Sequence, residues 1–549
     1  MSNVKAFKDL SEHLFSKRGS LLSLWGELAR NFYPERDDFD SVRNIGAEMA
    51  KGTMTSYPII ARRQLGDAFG AMLRPTAKEW AHVRSARPDR EDTTAKQWLQ
   101  WASGFMKNVM YDKRAMFARA TVEADHDYAT FGQACLSVEI NRERNGVLYR
   151  CWHLRDVAWA EDVTGAVCTI VRKWKPTAAD LCNLFPKTVH PKVKEKLGKT
   201  PYDEVNVIHV IVTAETFANL DNASDKKFRQ PYVSIYIDVD HDHELECVGS
   251  WTKHYVIPRW STVSGSQYAH SPAVVAALPD ARLLQQVTLT LLEAGEKAVN
   301  PPMVAVQEAI RGDVSIYAGG ITWVDAEYDE RLGEVLRPMT QDKSGLQFGM
   351  EWAQDLRIQL ADAFYLSKIN MPPTGGPEMT AYEVGQRVQE FIRNALPLFE
   401  PMERDYNGQL CDQTLELMLH NEPAMLRSVP ESLQGAELSF QFESPLHDAV
   451  EKIKVGQFLE ASQILATAVQ LDPDVAHLID GKKAARDVLG AAAPADWMRT
   501  EAEVEERAAA QARAMQTQQL LQTMQQGADV AKTLGEAGAA SGSMPVTPV

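Results

Sequence analysis

The chain has 549 residues, 45% of them hydrophobic and 24% charged, and a net charge of −16. That length allows two to four domains or one elongated subunit, and the composition is ordinary for a globular protein. The acidic balance speaks against a sequence-reading DNA binder, which carries a basic excess because Lys and Arg displace counterions from phosphates. The start, MSNVKAFKDLSEHLF, is amphipathic and mixed in charge rather than leader-like. No apolar run reaches the length of a bilayer span, so no membrane association is expected. Six cysteines at 135, 151, 168, 182, 247 and 411 are scattered without a C-x-x-C pair. This points to a reducing compartment and away from a disulfide framework or a structural zinc site.

In chain order, residues 4 to 33 read as one helix carrying Phe7, Leu10, Leu14, Leu21, Leu24, Trp25, Leu28 and Phe32, closed by Pro34. A second helix, about Tyr57 to Leu73, ends at Arg74-Pro75, and two more follow at about Thr93–Met110 and Met116–Thr130. From Gly132 the period changes from helical to alternating. QACLSVEI and VLYRCWHL read as two strands whose loop ends in the turn-favouring pair Asn145-Gly146. Val157–Ala160 and Ala166–Trp174 form a second such pair. A Lys-rich helix, Val189–Leu197, precedes three further strands in NVIHVIVTAE, PYVSIYIDV and ELECVGSW.

The stretch from Tyr268 to Glu416 reads as helix, insert, helix, turn, helix. In the first helix Leu284, Val287, Leu291, Ala294 and Ala298 recur at spacings of three and four, which places one apolar stripe on a face. Pro301 and Pro302 stop it, because each lacks an N–H and clashes with the preceding turn. The insert holds short strands broken by Gly312 and Gly319-Gly320. The return helix, about Asp342–Ser367, carries Ala353, Leu356, Leu360 and Ala363. The turn MPPTGGPEM leads to a third helix opened by Thr380 with Glu383 three residues on, a capping box. AELSFQFESP then reads as one strand. Helices follow at about Ala449–Gln470 and Asp474–Leu489, then a Glu/Ala/Gln/Met-rich helix over Trp497–Gln526.

YAHSPAVVAALPDARLLQQVTLTLLEAGEKAVNPP, followed by PPTGGPEMTAYEVGQRVQEFIRNALPLFEPMERD, resembles the middle of the head-to-tail connector (portal) proteins of short-tailed bacteriophages. IARRQLGDAFGAMLRPTAKEW, with Trp80 a few residues after Leu-x-Pro, resembles that family's N-terminal pattern. LDPDVAHLIDGKKAARDVLGAAAPADWMRTEAEVEERAAAQ resembles its C-terminal end. The resemblance implies an α+β, mainly α-helical, ring-forming fold. Its regions would be a wing at 1–267 (β-rich at 132–262), stem helices at 268–300 and 342–368, and a clip at 301–341. A tunnel loop would follow at 369–379, a wing helix and return strand at 380–445, a crown at 446–526 and a disordered tail at 527–549. Lys368, Asn370, Met371, Pro372, Pro373, Thr374, Gly375 and Gly376 would then line the DNA channel. Val314, Ile316, Tyr317 and Trp323 would meet the tail adaptor. The implied partners are eleven further copies in a dodecameric ring, capsid and scaffold proteins, terminase, tail adaptor or nozzle proteins, and double-stranded DNA without sequence specificity. No cofactor is implied.

Catalytic signatures are sparse. Gly198-Lys199-Thr200 lacks the earlier glycine of a phosphate-binding loop, since Val193 stands there, and the preceding segment is a helix rather than a strand. There is no H-E-x-x-H and no G-x-S-x-G. Glu501, Glu503, Glu505 and Glu506 read as a solvated helix face. Lys368 can be a DNA-facing charge or a cation favoured by a helix C-terminus. Asp240, His241, Asp242 and His243 have the chemistry for a divalent ion, or form a polar hairpin tip. The rival to a connector is therefore a cytoplasmic metal-dependent hydrolase built on that cluster, and a non-viral helical scaffold is a third reading.

Overall fold

The computed structural model describes residues 4–40, 46–305, 336–338, 344–369, 399–421 and 429–443, apart from breaks at 77, 87–92, 222–226 and 300, and a few isolated positions besides. Contacts divide the chain into Met1–Leu446 and His447–Val549. Every element below belongs to the first unit. The expected crown helices, the capping box at Thr380 and Glu383, and the tail lie outside the described residues.

The N-terminal helix expected over 4 to 33 is in fact two, α1 (Val4–Lys17) and α2 (Gly19–Phe32). They part at Arg18, which is fully buried. Its guanidinium donates to the carbonyls of Leu154 and Arg155 and lies over the rings of Phe15 and Trp25. Both halves are amphipathic, so hydrophobic spacing alone runs through the break. A side chain that must satisfy two distant carbonyls turns the chain there.

Next come α3 (Tyr57–Leu73), β1 (Ala81–Ser85), α4 (Thr93–Met110) and α5 (Phe117–Phe131). β2 (Leu136–Ile140) and β3 (Val147–Cys151) pair antiparallel as expected from their alternation. β4 (Val157–Glu161), β5 (Val167–Trp174), β6 (Val207–Thr213), β7 (Tyr232–Asp238) and β8 (His243–Ser250) make a five-stranded antiparallel sheet in that order. Three short helices interrupt it: α6 (Ala178–Leu184), α7 (Pro191–Lys199) and α8 (Ala214–Leu220). β6 is the middle strand, and its side chains sort by the period of two. Ile208, Val210 and Val212 face a core with Phe7 and Leu14 of α1, while Val207 faces a second core with Leu181 and Val193.

His209 sits on that second side and is fully buried. It stacks on Tyr236 at 3.9 Å and bonds the hydroxyls of Tyr255 at 2.7 Å and Ser234 at 2.8 Å. Burial, with the Arg172 charge nearby, holds its ring well below the ordinary histidine range, and burial lowers His254 and His126 too. Below pH about 6.5 the unfolded chain binds protons on these rings and the folded chain does not. Stability is therefore present above that pH and lost as pH falls. His82, raised by its bond to Glu443, opposes the trend. Urea titrations should show His209→Gln flattening the fall between pH 6.5 and 5 by up to about 2 kcal/mol. An unchanged slope would mean that His209 is not held neutral.

β9 (Tyr255–Val256) returns to pair with β2, a contact that the strand pattern does not announce because only two residues take part. A π-helical turn, Ala273–Ala277, leads into α9 (Leu278–Val299). β10 (Met303–Ala305) and β11 (Leu336–Pro338) pair antiparallel, with Met303 opposite Pro338. α10 (Ser344–Ala363) runs back beside α9, and α11 (Leu366–Ile369) follows a break at Phe364-Tyr365. The return helix expected to run unbroken to Ser367 is thus split. After the π-helical turn Glu403–Gly408 come α12 (Gln409–Asn421) and β12 (Leu438–Phe442). β12 pairs antiparallel with β1, Ala81 opposite Phe442, closing the unit across most of its length.

Candidate connector elements

α9 and α10 form an antiparallel helical arm, about 33 Å and 30 Å long at 1.5 Å per residue. Close approach is possible where Gly349 faces Leu291; a Cβ on Gly349 would lie 2.8 Å from Leu291 Cδ2. The packing along the arm is uneven. Leu278, Ala281, Leu284 and Val287 of α9 and Ala353, Leu356 and Leu360 of α10 are buried, reaching outward no further than Val287 and Ala353 at mid-arm. Further out no described residue of either helix is buried. Leu292, Val299, Phe348, Met350 and Trp352 are 57%, 88%, 69%, 65% and 42% exposed. The arm ends at the β10–β11 pair, whose three-residue strands are too short to stand alone.

The root of the arm is fastened to the end of α5. Gly132 caps α5 at φ +76°, a left-handed conformation that glycine takes without penalty. Its carbonyl accepts from Trp260 N at 2.8 Å. The Gln133 side chain accepts from Ala269 N at 2.9 Å, and the Ser271 hydroxyl donates to Thr130 O at 2.6 Å. On the outer surface Arg282 of α9 makes two bonds of 2.6 Å to Glu27 of α2, and Gln285 accepts from Met54 N and Thr55 N at 2.7 and 3.0 Å.

The C-terminal end of α10, back at the body, is fixed by aromatics. Phe364 meets Phe32 edge-on at 5.4 Å, and Tyr365 lies parallel to Trp260 at 6.3 Å, which in turn stacks on Tyr128. Tyr365 has φ +57°, unfavourable for a side chain with a Cβ, so packing holds it there. Lys368 is exposed on α11, its ammonium 5.3 Å from the Tyr365 ring centroid. Of the other expected channel residues, Asn370, Met371, Pro372, Pro373, Thr374, Gly375 and Gly376 lie outside the described residues. So do Val314, Ile316, Tyr317 and Trp323 of the insert. Gly132, Gln133, Ser271, Trp260 and Tyr365 were not singled out from sequence. Of these, only Gly132 carries a signal there, as a glycine directly after a helix.

The acidic and histidine-rich tip does not converge on one point. Asp240 accepts from Asn206 N and Nδ2 at 3.0 and 2.9 Å. His241 bonds Asp238 at 2.7 Å, Asp242 pairs with Lys8, and His243 Nε2 donates to Thr188 O at 2.6 Å. Each side chain is held by a different partner. Among the described residues no group of three or more His, Cys, Asp or Glu is placed to hold a metal ion, and no helix is long and apolar enough to cross a membrane.

The chain is 26% identical over 487 residues to the probable portal protein of Bordetella phage BPP-1, covering 87% of this chain and 86% of that one. It is 23% identical over 547 residues to the portal protein of Salmonella phage epsilon15, covering 97% and 95%. A solved structure, the virion of a native gene transfer agent particle, is similar over 74% of this chain and 86% of that chain, at 11% identity and a TM-score of 0.35, a degree that carries no inference. The family described as bacteriophage head to tail connecting protein matches residues 4–498, and the chain belongs to it.

Proposed function

We propose that this chain is the repeating subunit of a ring-shaped portal at one capsid vertex, twelve copies enclosing a channel for double-stranded DNA. One observation carries the reading: the outer half of the α9–α10 arm leaves Leu292, Val299, Phe348, Met350 and Trp352 in water. An apolar surface of this kind marks an interaction site, and copies packed side by side around a closed axis would cover it. The relatives named as portal proteins support the same reading. The role is structural. The net charge of −16 suits a conduit, because an acidic wall repels phosphates rather than gripping them.

In this reading α9 and α10 line the stem, and the insert between β10 and β11 is the clip where terminase docks during packaging and tail adaptors afterwards. Residues 369–379, with Lys368 at their start, face the DNA. Capsid and scaffold proteins surround the body. The hydrolase reading draws no support from its cluster, since Asp240, His241, Asp242 and His243 each bond a different partner. The test replaces Phe348 and Trp352 with Asp together. Both are exposed in the single chain, so its circular dichroism should be unchanged while the yield of rings falls by about tenfold or more. An undiminished ring yield would place the subunit interface elsewhere.

A further inference from the structure

Three histidine rings meet where α7 begins. His190 precedes that helix, and its ring stacks on His241 at 4.7 Å and meets His243 edge-on at 5.4 Å. His241 and His243 belong to the hairpin between β7 and β8, so the rings join the hairpin to the helix. Each ring also makes a hydrogen bond. His190 Nδ1 accepts from Lys192 N at 3.3 Å and so caps α7. His241 Nδ1 bonds Asp238 Oδ2 at 2.7 Å, and His243 Nε2 bonds Thr188 O at 2.6 Å. These partners fix where each ring carries its proton. The Asp238 carboxylate and the Thr188 carbonyl accept, so His241 holds a proton on Nδ1 and His243 on Nε2. A second proton on either ring goes to the other nitrogen and leaves the bond intact. Lys192 N–H only donates, so His190 keeps Nδ1 bare. A proton there sets donor against donor. It also places a cation at the positive end of α7, beside two rings that titrate in the same range. Val189 and Val193, on either side of His190, are buried in the second core with Leu181 and Leu245.

We propose that His190 is an acid-sensitive latch: its protonation releases the start of α7 from the β7–β8 hairpin and uncovers the second core beneath Val189 and Val193. The charges around the ring agree with this. Loss of hydration, then His241 and His243, and last Lys192 hold His190 below the ordinary histidine range, while Asp238 of β7 opposes them. The other ionisable groups nearby are engaged or turned away. Asp240 bonds Asn206 and lies near Lys196, Asp242 pairs with Lys8 of α1, and Cys182 of α6 faces Lys194. Glu244 follows His243 on β8 and points to the opposite face of the sheet. The neutral ring is the form the folded chain holds, so the latch is closed at neutral pH and opens as pH falls below about 6.5. The device does not depend on the portal reading.

The test is hydrogen–deuterium exchange of the full chain at pH 7.5 and pH 5, read by mass spectrometry as protection factors so that intrinsic exchange rates cancel. Relative to peptides from α5, those spanning 188–199 should lose about fivefold or more of their protection at pH 5, the effect of one lost helix cap. His190→Asn should abolish that loss, because asparagine caps a helix without titrating. The position is only partly buried and asparagine is a favoured cap, so the fold should survive. His209→Gln should leave the loss in place, because the buried ring on β6 is not the trigger. Equal protection of the wild type at the two pH values overturns the proposal. So does a loss that persists in His190→Asn, or one that disappears in His209→Gln.

Discussion

Replacing Asp125 with alanine is expected to destabilise the first unit by roughly 3–5 kcal/mol, because it strands a buried guanidinium. Arg74, at the end of α3, is 4% exposed and Asp125, in α5, is 2% exposed. Both carboxylate oxygens of Asp125 accept from Arg74 Nη2. Arg74 Nη1 donates to Asn407 Oδ1 at 2.9 Å, and its guanidinium lies 4.6 Å from the Tyr406 ring centroid. Burial works against the charge on Arg74, but Asp125 beside it, together with Tyr406 and Tyr111, offsets that and holds it above the ordinary arginine range. The pair joins α3 and α5 to the π-helical turn that carries Tyr406 and Asn407, far away in sequence. Removing both charges together, as Arg74→Met with Asp125→Leu, should recover most of the loss. Urea unfolding measures both variants. If the single variant fails to accumulate, recovery of soluble protein by the double variant reports the same thing. A loss under about 1 kcal/mol for Asp125→Ala would mean that water reaches the pair.

The second large effect is expected at Gly132. Alanine there would hold a left-handed conformation, at about 1–2 kcal/mol. Its Cβ would also lie 2.6 Å from both His270 C and Ser271 N. Those are backbone atoms at the root of the arm, and no side-chain rotation relieves the clash. The expected total is roughly 2–5 kcal/mol. Displacement of the root should also reduce assembly more than the stability loss alone explains. Gly165 is the control: its φ is +82° but nothing lies within 4 Å of an added Cβ, so Gly165→Ala should show the conformational cost alone. Equal losses in the two variants would show that the root yields to the clash.

Much of the fold was legible because local signals and tertiary demands agree. Tyr57–Leu73 and Thr93–Met110 form helices as their patterns require, and the paired strands from Leu136 to Ser250 follow alternation and turn residues. Three features were not legible, each for a physical reason. The break at Arg18 comes from carbonyls 136 and 137 residues away. Tyr365 takes its left-handed conformation from stacking on Trp260, and aromatic spacing carries no trace of that. β1 exists because β12 pairs with it, and a five-residue strand after Trp80 has no separate signature. The arm itself was legible through the double proline and the two apolar stripes. Its exposed outer half was not, since a stripe shows which face is apolar and not whether anything covers it.

The most direct test of the portal reading is the mass of the purified chain by light scattering, with negative-stain images of the same sample. Twelve subunits of 61.2 kDa give about 730 kDa and an annulus with a central hole. A mass of that order, in closed rings, is the expected result. A single chain or dimer that persists at high concentration, and still shows no rings after scaffold protein is added, would contradict it.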